Sequence, residues 1–293
     1  MKLSVCTISF RHHLISIEEL ARWVQTHGFQ GLELWGAHAR NLAAQPEYGL
    51  EWLSCFGLHV SMLSDYLPLE GSPDELWSKL ESLSRLAAHW GTRKLRTFAG
   101  SSGSAAMPVQ ERRVVVARLR AVCDWLAERG QVLLVETHPR TLADNAAATL
   151  RLLSDVDHPG LRVNFDVLHL WEAGDDPTAA LALLRQHVSH FHLKNVSSRD
   201  FLEVFAPGNV YSAAGSRRGM VPLFEGAFDY RTFLADLAAE RQLEASLEWF
   251  GDDVKRTLSR DREAVQQLAL KQLMLRAGVG DVRAAPMRLS RSG

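Results

Sequence analysis

The sequence predicts one α/β domain, a (β/α)8 TIM barrel, from three observations. Short β-branched or apolar runs alternate eight times with longer segments of helical period. No Pro/Gly/Ser-rich linker divides the 293 residues, a length that suits a barrel of about 250 residues with a tail. The first strand runs into Cys6-Thr7-Ile8-Ser9-Phe10-Arg11, where the alternative, a doubly wound sheet, would carry a GxGxxG phosphate turn.

In order, the strands are read as Lys2–Ser9, Gly31–Gly36, His59–Tyr66, Lys94–Gly100, Gln131–His138, Leu161–His169, Val188–Asn195 and Ala245–Phe250. The amphipathic segments between and after them are Ser16–His27, Pro46–Phe56, Pro73–Trp90, Pro108–Arg129, Leu142–Ser154, Pro177–Gln186, Tyr230–Glu240 and Asp253–Arg276. Ser16 with Glu19 three positions on reads as a capping box. Pro73, Pro108 and Pro177 suit a first helical turn, where the missing N–H costs nothing. Gly28, Gly57, Gly91 and Gly130 each stand between a helical run and the next strand, as helix-ending glycines do. Residues Val196–Asp229 make a loop far longer than the ~2–6 residues usual in α/β units, and long ordered loops are commonly functional. The catalytic barrel is assigned to residues 1–276, and 277–293 are expected to be a disordered tail.

Composition narrows the function classes. The chain is 46% hydrophobic and 23% charged with a formal net charge of −1, so no broad basic field exists to hold a nucleic acid or an anionic membrane. No run of ~18 apolar residues or signal-peptide h-region is present, so neither a membrane span nor export is expected. Cys6, Cys55 and Cys123 are odd in number and far apart, which suggests a reduced, cytoplasmic protein without a disulfide framework or a thiolate zinc site. Oligomeric state is left open, with a homo-oligomer allowed.

In a barrel, the chemistry gathers where strands end. Strand five ends in ETHP (Glu136, His138), strand six in FDVLH (Asp166, His169), strand seven in HFHLKN (His190, His192, Lys194) and strand eight in SLEWF (Glu248). Residues i and i+2 on a strand share a face, so Glu136 converges with His138, and His190, His192 and Lys194 form a second set. Any one of these residues alone has an ordinary structural explanation, as a cap, an ion-pair partner or a bonded core histidine. Three carboxylates sharing one mouth repel unless a cation joins them. We therefore read Glu136, Asp166, His192 and Glu248 as ligands of one divalent ion. Oxygen-rich donors without thiolate favour Mn²⁺ or Mg²⁺, with Co²⁺ or Zn²⁺ as other candidates. His138, Lys194 and His169 remain beside the ion as proton-transfer and electrostatic groups. Tyr66, Trp171, Trp249 and Phe250 are candidate walls for a flat cyclic small molecule.

The strand-end pattern resembles the xylose-isomerase-like barrels, which include sugar isomerases, epimerases and endonuclease-IV-like enzymes. Nine blocks in register narrow the resemblance: CTISFRHHLIS, GFQGLELWGAHARNL, SMLSDYL, KLRTFAG, LLVETHPRTL, FDVLHLWEAGDDP, HFHLKN, NVYSAAGSRRGMVPLFEG and SLEWFG. From Met1 to about Lys271 the chain looks like the 3-dehydroshikimate dehydratases of petrobactin siderophore biosynthesis. That resemblance implies a metal-dependent hydro-lyase converting 3-dehydroshikimate to 3,4-dihydroxybenzoate (protocatechuate), for a siderophore or for aromatic catabolism. It implies the same four ligands. It also implies substrate contacts from Tyr66, Arg96, His138 and Lys194, and more weakly from His12, Glu33, His169, Tyr211 and Arg217. Ser216 and Arg218 depart from the family pattern. The rival reading is a sugar or sugar-phosphate isomerase or epimerase on the same barrel. An endonuclease-like role fits the −1 charge poorly, and a non-catalytic binding barrel would have no use for the acid–base set.

Overall fold

A computed structural model describes residues 1–235 and 237–277. The expected tail therefore lies, beyond Ala277, outside the described residues. Eight parallel strands close into a barrel: β1 (Lys2–Cys6), β2 (Gly31–Trp35), β3 (His59–Ser64), β4 (Lys94–Thr97), β5 (Val132–Glu136), β6 (Leu161–Asp166), β7 (Val188–Leu193) and β10 (Glu244–Leu247), with β10 pairing back onto β1. The remaining pair, β8 (Asn195–Val196) and β9 (Met220–Val221), forms a two-stranded antiparallel ribbon. No helix among the described residues is long and apolar enough to cross a membrane, and all three cysteines are free.

The helices are α1 (Ile17–Thr26), α2 (Gly36–Leu42), α3 (Leu50–Ser54), α4 (Pro73–His89), α5 (Val109–Ala127), α6 (Ala146–Val156), α7 (Val167–Glu172), α8 (Pro177–Leu184), α9 (Pro207–Tyr211), α10 (Tyr230–Leu234) and α11 (Val254–Arg276). Caps explain most boundaries. Ser16 accepts from the Glu19 N–H, half of the predicted box, whereas the reciprocal box is built by Ser72 and Glu75 ahead of α4. Pro73 and Pro177 occupy first turns; Pro108 is itself the N-cap of α5. The four helix-ending glycines adopt φ between 65° and 72°, a region that favours glycine.

Several elements differ from the sequence reading. Strand six stops at Asp166 because that side chain accepts from the His169 N–H and caps α7, so His169 is helical. The predicted helix over 46–56 shrinks to α3, preceded by extended Gly49, and α10 covers only the first turns of 230–240. Helix α2 went unpredicted, since no side chain caps it. The long 196–229 segment contains the ribbon, a 3-10 stretch Arg199–Phe205 and α9.

Strand alternation sorts the side chains. Leu32, Leu63, Leu133, Val163, Phe165, Phe191 and Leu247 point outward into the helix-covered core. The barrel interior holds polar groups instead: Glu33, His190, His192, Ser246 and Asp166 are all fully buried. A register shift between Val163 and Asn164 makes Asn164 and Asp166 the partners of His190 and His192. That one-residue bulge sets Asp166 beside His192.

At the other end of the barrel, Lys94 Nζ meets Glu244 at 2.6 Å and His59 lies 3.6 Å from the same carboxylate. Burial alone would raise the Glu244 carboxyl, but the neighbouring His59 imidazole and the Lys94 ammonium outweigh it and hold it at about 2. A depressed carboxylate stabilises the fold above its ordinary value of 4.5 and loses that contribution as pH falls toward 2. Urea unfolding should therefore show Glu244→Gln less stable by about 2 kcal/mol at pH 6, with the deficit shrinking by pH 2.5. A deficit of constant size would disprove the linkage.

The ribbon loop is tied at its neck. Asn195 Nδ2 donates to the carbonyls of Leu223 (2.7 Å) and Phe228 (2.8 Å), and the Ala227 N–H donates to Val196 O at 2.7 Å. Leu223 N–H also donates to Asp261 of α11 at 3.0 Å, and Tyr230 Oη donates to the Lys194 carbonyl at 2.8 Å. A Cβ on Gly226 would overlap the Asn195 amide, so the close approach requires glycine there.

Candidate metal and active centre

The strand ends place Glu136, Asp166, His192 and Glu248 around one point. Glu136 and Asp166 close β5 and β6, His192 lies on β7, and Glu248 follows β10 by one residue. His192 Nδ1 faces Glu136 Oε1 at 3.5 Å, Glu248 Oε1 at 3.6 Å and Asp166 Oδ2 at 3.7 Å. Nδ1 is buried and has no hydrogen-bond partner. An imidazole nitrogen left unpaired among three buried carboxylates is what a ligand set would present to a cation.

Charge points the same way. Burial works against protonated His192, yet the carboxylates of Glu248, Glu33 and Glu136 raise it well above the ordinary imidazole range. The buried carboxylates Glu33, Glu136, Asp166 and Glu248 face the permanent cations Arg96 and Lys194. With His192 neutral, as a metal ligand must be, two negative charges are left over, the complement of one divalent ion. Asp166, His192 and Glu248 have donor atoms within 4.8 Å of one another, as do Glu136, Asp166 and His169. The donor set thus fits a hard divalent ion.

Lys194 Nζ donates to Asp166 Oδ2 at 2.6 Å and Glu248 Oε2 at 2.8 Å. Burial opposes its charge, but Asp166, Glu248 and Glu136 raise it well above the ordinary lysine value, so it stays an ammonium. Arg96 Nε lies 3.0 Å from Glu136 Oε2, and its guanidinium packs over Tyr66 and Phe98 at 5.0 and 5.2 Å. Its Nη1 is buried without a hydrogen-bond partner, an N–H donor available to an anion.

His138 stacks on Phe98 at 4.2 Å and meets His169 edge-on at 4.5 Å. Its Nδ1 is 2.8 Å from the Pro139 carbonyl. A carbonyl only accepts, so Nδ1 carries the proton and Nε2 keeps its lone pair. Burial first, then neighbouring His169, push His138 down to about 3, against the opposing pull of Glu136. The ring is therefore a neutral proton acceptor at pH 7. His169 is oriented by Glu172, 2.8 Å from its Nδ1, with Nε2 turned toward Asp166 at 3.9 Å.

Beside His138 and Phe98 opens a cavity of about 710 Å³, lined also by Phe201, Val204, Arg140 and Arg218. Tyr211 of α9 reaches over the cleft, its hydroxyl 2.5 Å from that of Tyr66 and its ring stacked on Trp35.

The structure does not bring every expected residue to the cleft. Glu33 is wholly buried and lies 2.8 Å from His192 Nε2, on the other face of the imidazole from Glu136, Asp166 and Glu248. Arg217 donates to the carbonyls of Asn209, Ser216 and Ser212 and braces the loop instead. His12 is exposed and sits beside Arg11, Val210 and Arg217 at the outer rim. Among the expected aromatic walls, Tyr66 and Phe250 line the site, while Trp171 packs under Arg199 and Trp249 bonds the Asp252 carbonyl. Phe98 and Phe205 were missed. Phe98 was detectable two positions after Arg96 on the same face; Phe205, 5.6 Å from Lys194 Nζ, reaches the site only through the path of the loop.

Fold and site together define a TIM barrel with a candidate metal site at its strand ends, and the chain belongs to the xylose isomerase-like TIM barrel family, whose model matches residues 21–276. It is 45% identical over 271 residues to the 3-dehydroshikimate dehydratase of Bacillus anthracis, covering 90% of this chain and 96% of that protein. The crystal structure of the probable 3-DHS dehydratase AsbF, involved in petrobactin synthesis in Bacillus anthracis, superposes with a TM-score of 0.86 at 45% identity, over 90% of this chain and 98% of that one. An L-ribulose 3-epimerase shares the fold alone, at 16% identity and a TM-score of 0.68, over 97% of this chain and 100% of that one.

Proposed function

We propose that this chain is a divalent-metal-dependent 3-dehydroshikimate dehydratase that releases protocatechuate and water. The 45% identity across nearly the whole of both chains to a dehydratase of that name carries the reading. Glu136, Asp166, His192 and Glu248 would hold the ion, with Mn²⁺ or Mg²⁺ the expected metals. When bound, the ion supplies Lewis acidity toward the substrate ketone, which acidifies the adjacent ring C–H.

The chain's own residues perform the remaining steps. Arg96 offers its unpaired Nη1 to the substrate carboxylate, with Tyr66 and Phe98 against its guanidinium face. His138 Nε2 takes the ring proton. Lys194 stabilises the developing oxyanion or protonates the departing hydroxyl, which leaves as water. Loss of that one water makes the ring aromatic and drives the reaction forward. Tyr211, Phe205 and Phe250 exclude solvent from the flat ring.

The deciding experiment adds Mn²⁺, Mg²⁺, Co²⁺ or Zn²⁺ separately to metal-stripped protein with 3-dehydroshikimate and follows the ultraviolet absorbance of the aromatic product. Metal-restored product is expected. No product from folded protein with any ion, combined with turnover of a ketose, would transfer the chain to the isomerase and epimerase class.

Arg96 also pairs with Glu136, so truncating it would disturb a ligand as well as the substrate. Arg96→Lys keeps the charge and loses the planar fork. It should raise KM about tenfold with Mn²⁺ affinity unchanged. An unaltered KM would remove Arg96 from carboxylate recognition.

A further inference from the structure

We propose that Glu33, on β2, is a positioning residue of the metal centre that orients His192 from behind. This inference rests on the ligand assignment made above. Glu33 Oε2 lies 2.8 Å from His192 Nε2, and both side chains are fully buried. A carboxylate accepts and does not donate, so Nε2 keeps its proton, and Nδ1 is the nitrogen that presents a lone pair once a binding cation displaces its own proton. That lone pair points at Glu136, Asp166 and Glu248. The tautomer and the ring plane of the one nitrogen ligand are thus set from a strand three places round the barrel, across 159 residues of sequence.

Glu33 is itself held. Ser64 Oγ of β3 donates to its other oxygen. His190 Nε2 approaches Oε2 at 3.6 Å while bonding Ser246 Oγ at 2.7 Å. These groups form a buried polar layer directly below the ligands. Such a layer is costly to desolvate unless it serves an ordered partner above it. Carboxylates behind ligand histidines generally contribute a factor of 10–100 in metal affinity.

The test is isothermal titration of Mn²⁺ into the metal-stripped full-length chain. Glu33→Gln should weaken Mn²⁺ binding about 10–100-fold, with KM for the substrate at saturating Mn²⁺ within about twofold of wild type. Ser64→Ala, which frees the Glu33 carboxylate without removing it, should weaken binding about threefold. A Glu33→Gln protein with wild-type Mn²⁺ affinity overturns the proposal, as does unchanged affinity with a raised KM, the signature of a substrate contact. Should circular dichroism show Glu33→Gln unfolded, Ser64→Ala decides, and wild-type affinity there overturns the proposal. A wild-type chain that binds no Mn²⁺ instead refutes the ligand assignment, and the inference falls with it.

Discussion

Glu248→Gln is expected to lower kcat by about a thousandfold or more and to weaken metal binding in parallel, because the ion supplies several kcal/mol of charge stabilisation. The substitution is nearly isosteric. It removes the negative charge 3.6 Å from His192 Nδ1 and replaces an acceptor of the Lys194 ammonium with an amide. Glu136→Gln is a less selective test, since Glu136 also balances buried Arg96, and breaking a buried pair is destabilising by about 3–5 kcal/mol. Measured Mn²⁺ affinity and kcat should fall together in Glu248→Gln. Full activity at ordinary metal concentration would exclude Glu248 from the ligand set.

His138→Ala should divide the two functions of the site. Metal affinity should stay at the wild-type level, while kcat drops about 10²–10⁴-fold, the range for loss of a positioned general base. The ring's Nδ1 is committed to the Pro139 carbonyl and Nε2 is the remaining lone pair, so no second nitrogen can substitute. With its value pushed down to about 3, the imidazole is already deprotonated across the neutral range, and acid should not silence it until well below pH 5. Single-turnover kinetics on the metal-loaded variant provide the check: an undiminished rate would reassign the base, with His169 the nearest candidate at 4.5 Å ring separation.

The barrel was readable because parallel strands buried by helices impose two strong periods, and because glycines at 28, 57, 91 and 130 marked where four of the helices end. The four proposed ligands were readable as polar residues in strand-end motifs, where an aliphatic run would otherwise continue. Depth was not readable. Glu33 and Glu136 are both acidic residues of inward-facing strand positions, yet one lies below His192 and the other beside it. That difference depends on strand stagger and on bulges such as the one at Val163/Asn164, for which no residue type is diagnostic. The 196–229 loop escaped prediction for a related reason. Its conformation is set by tertiary hydrogen bonds from Asn195 and Asp261, so local propensity carries little of it.

The clasp at Asn195 separates two evolutionary problems. Residues 197–222 leave and return through one hydrogen-bonded neck, while the four proposed ligands all belong to the barrel strands or their immediate ends. None of the ion's proposed donors lies beyond the neck, although Val204, Phe205 and Val210 pack that segment against Ile8, Leu168 and Phe250 of the barrel. Grafting this segment between relatives should move substrate preference as a portable cassette, leaving the metal chemistry of the recipient barrel intact.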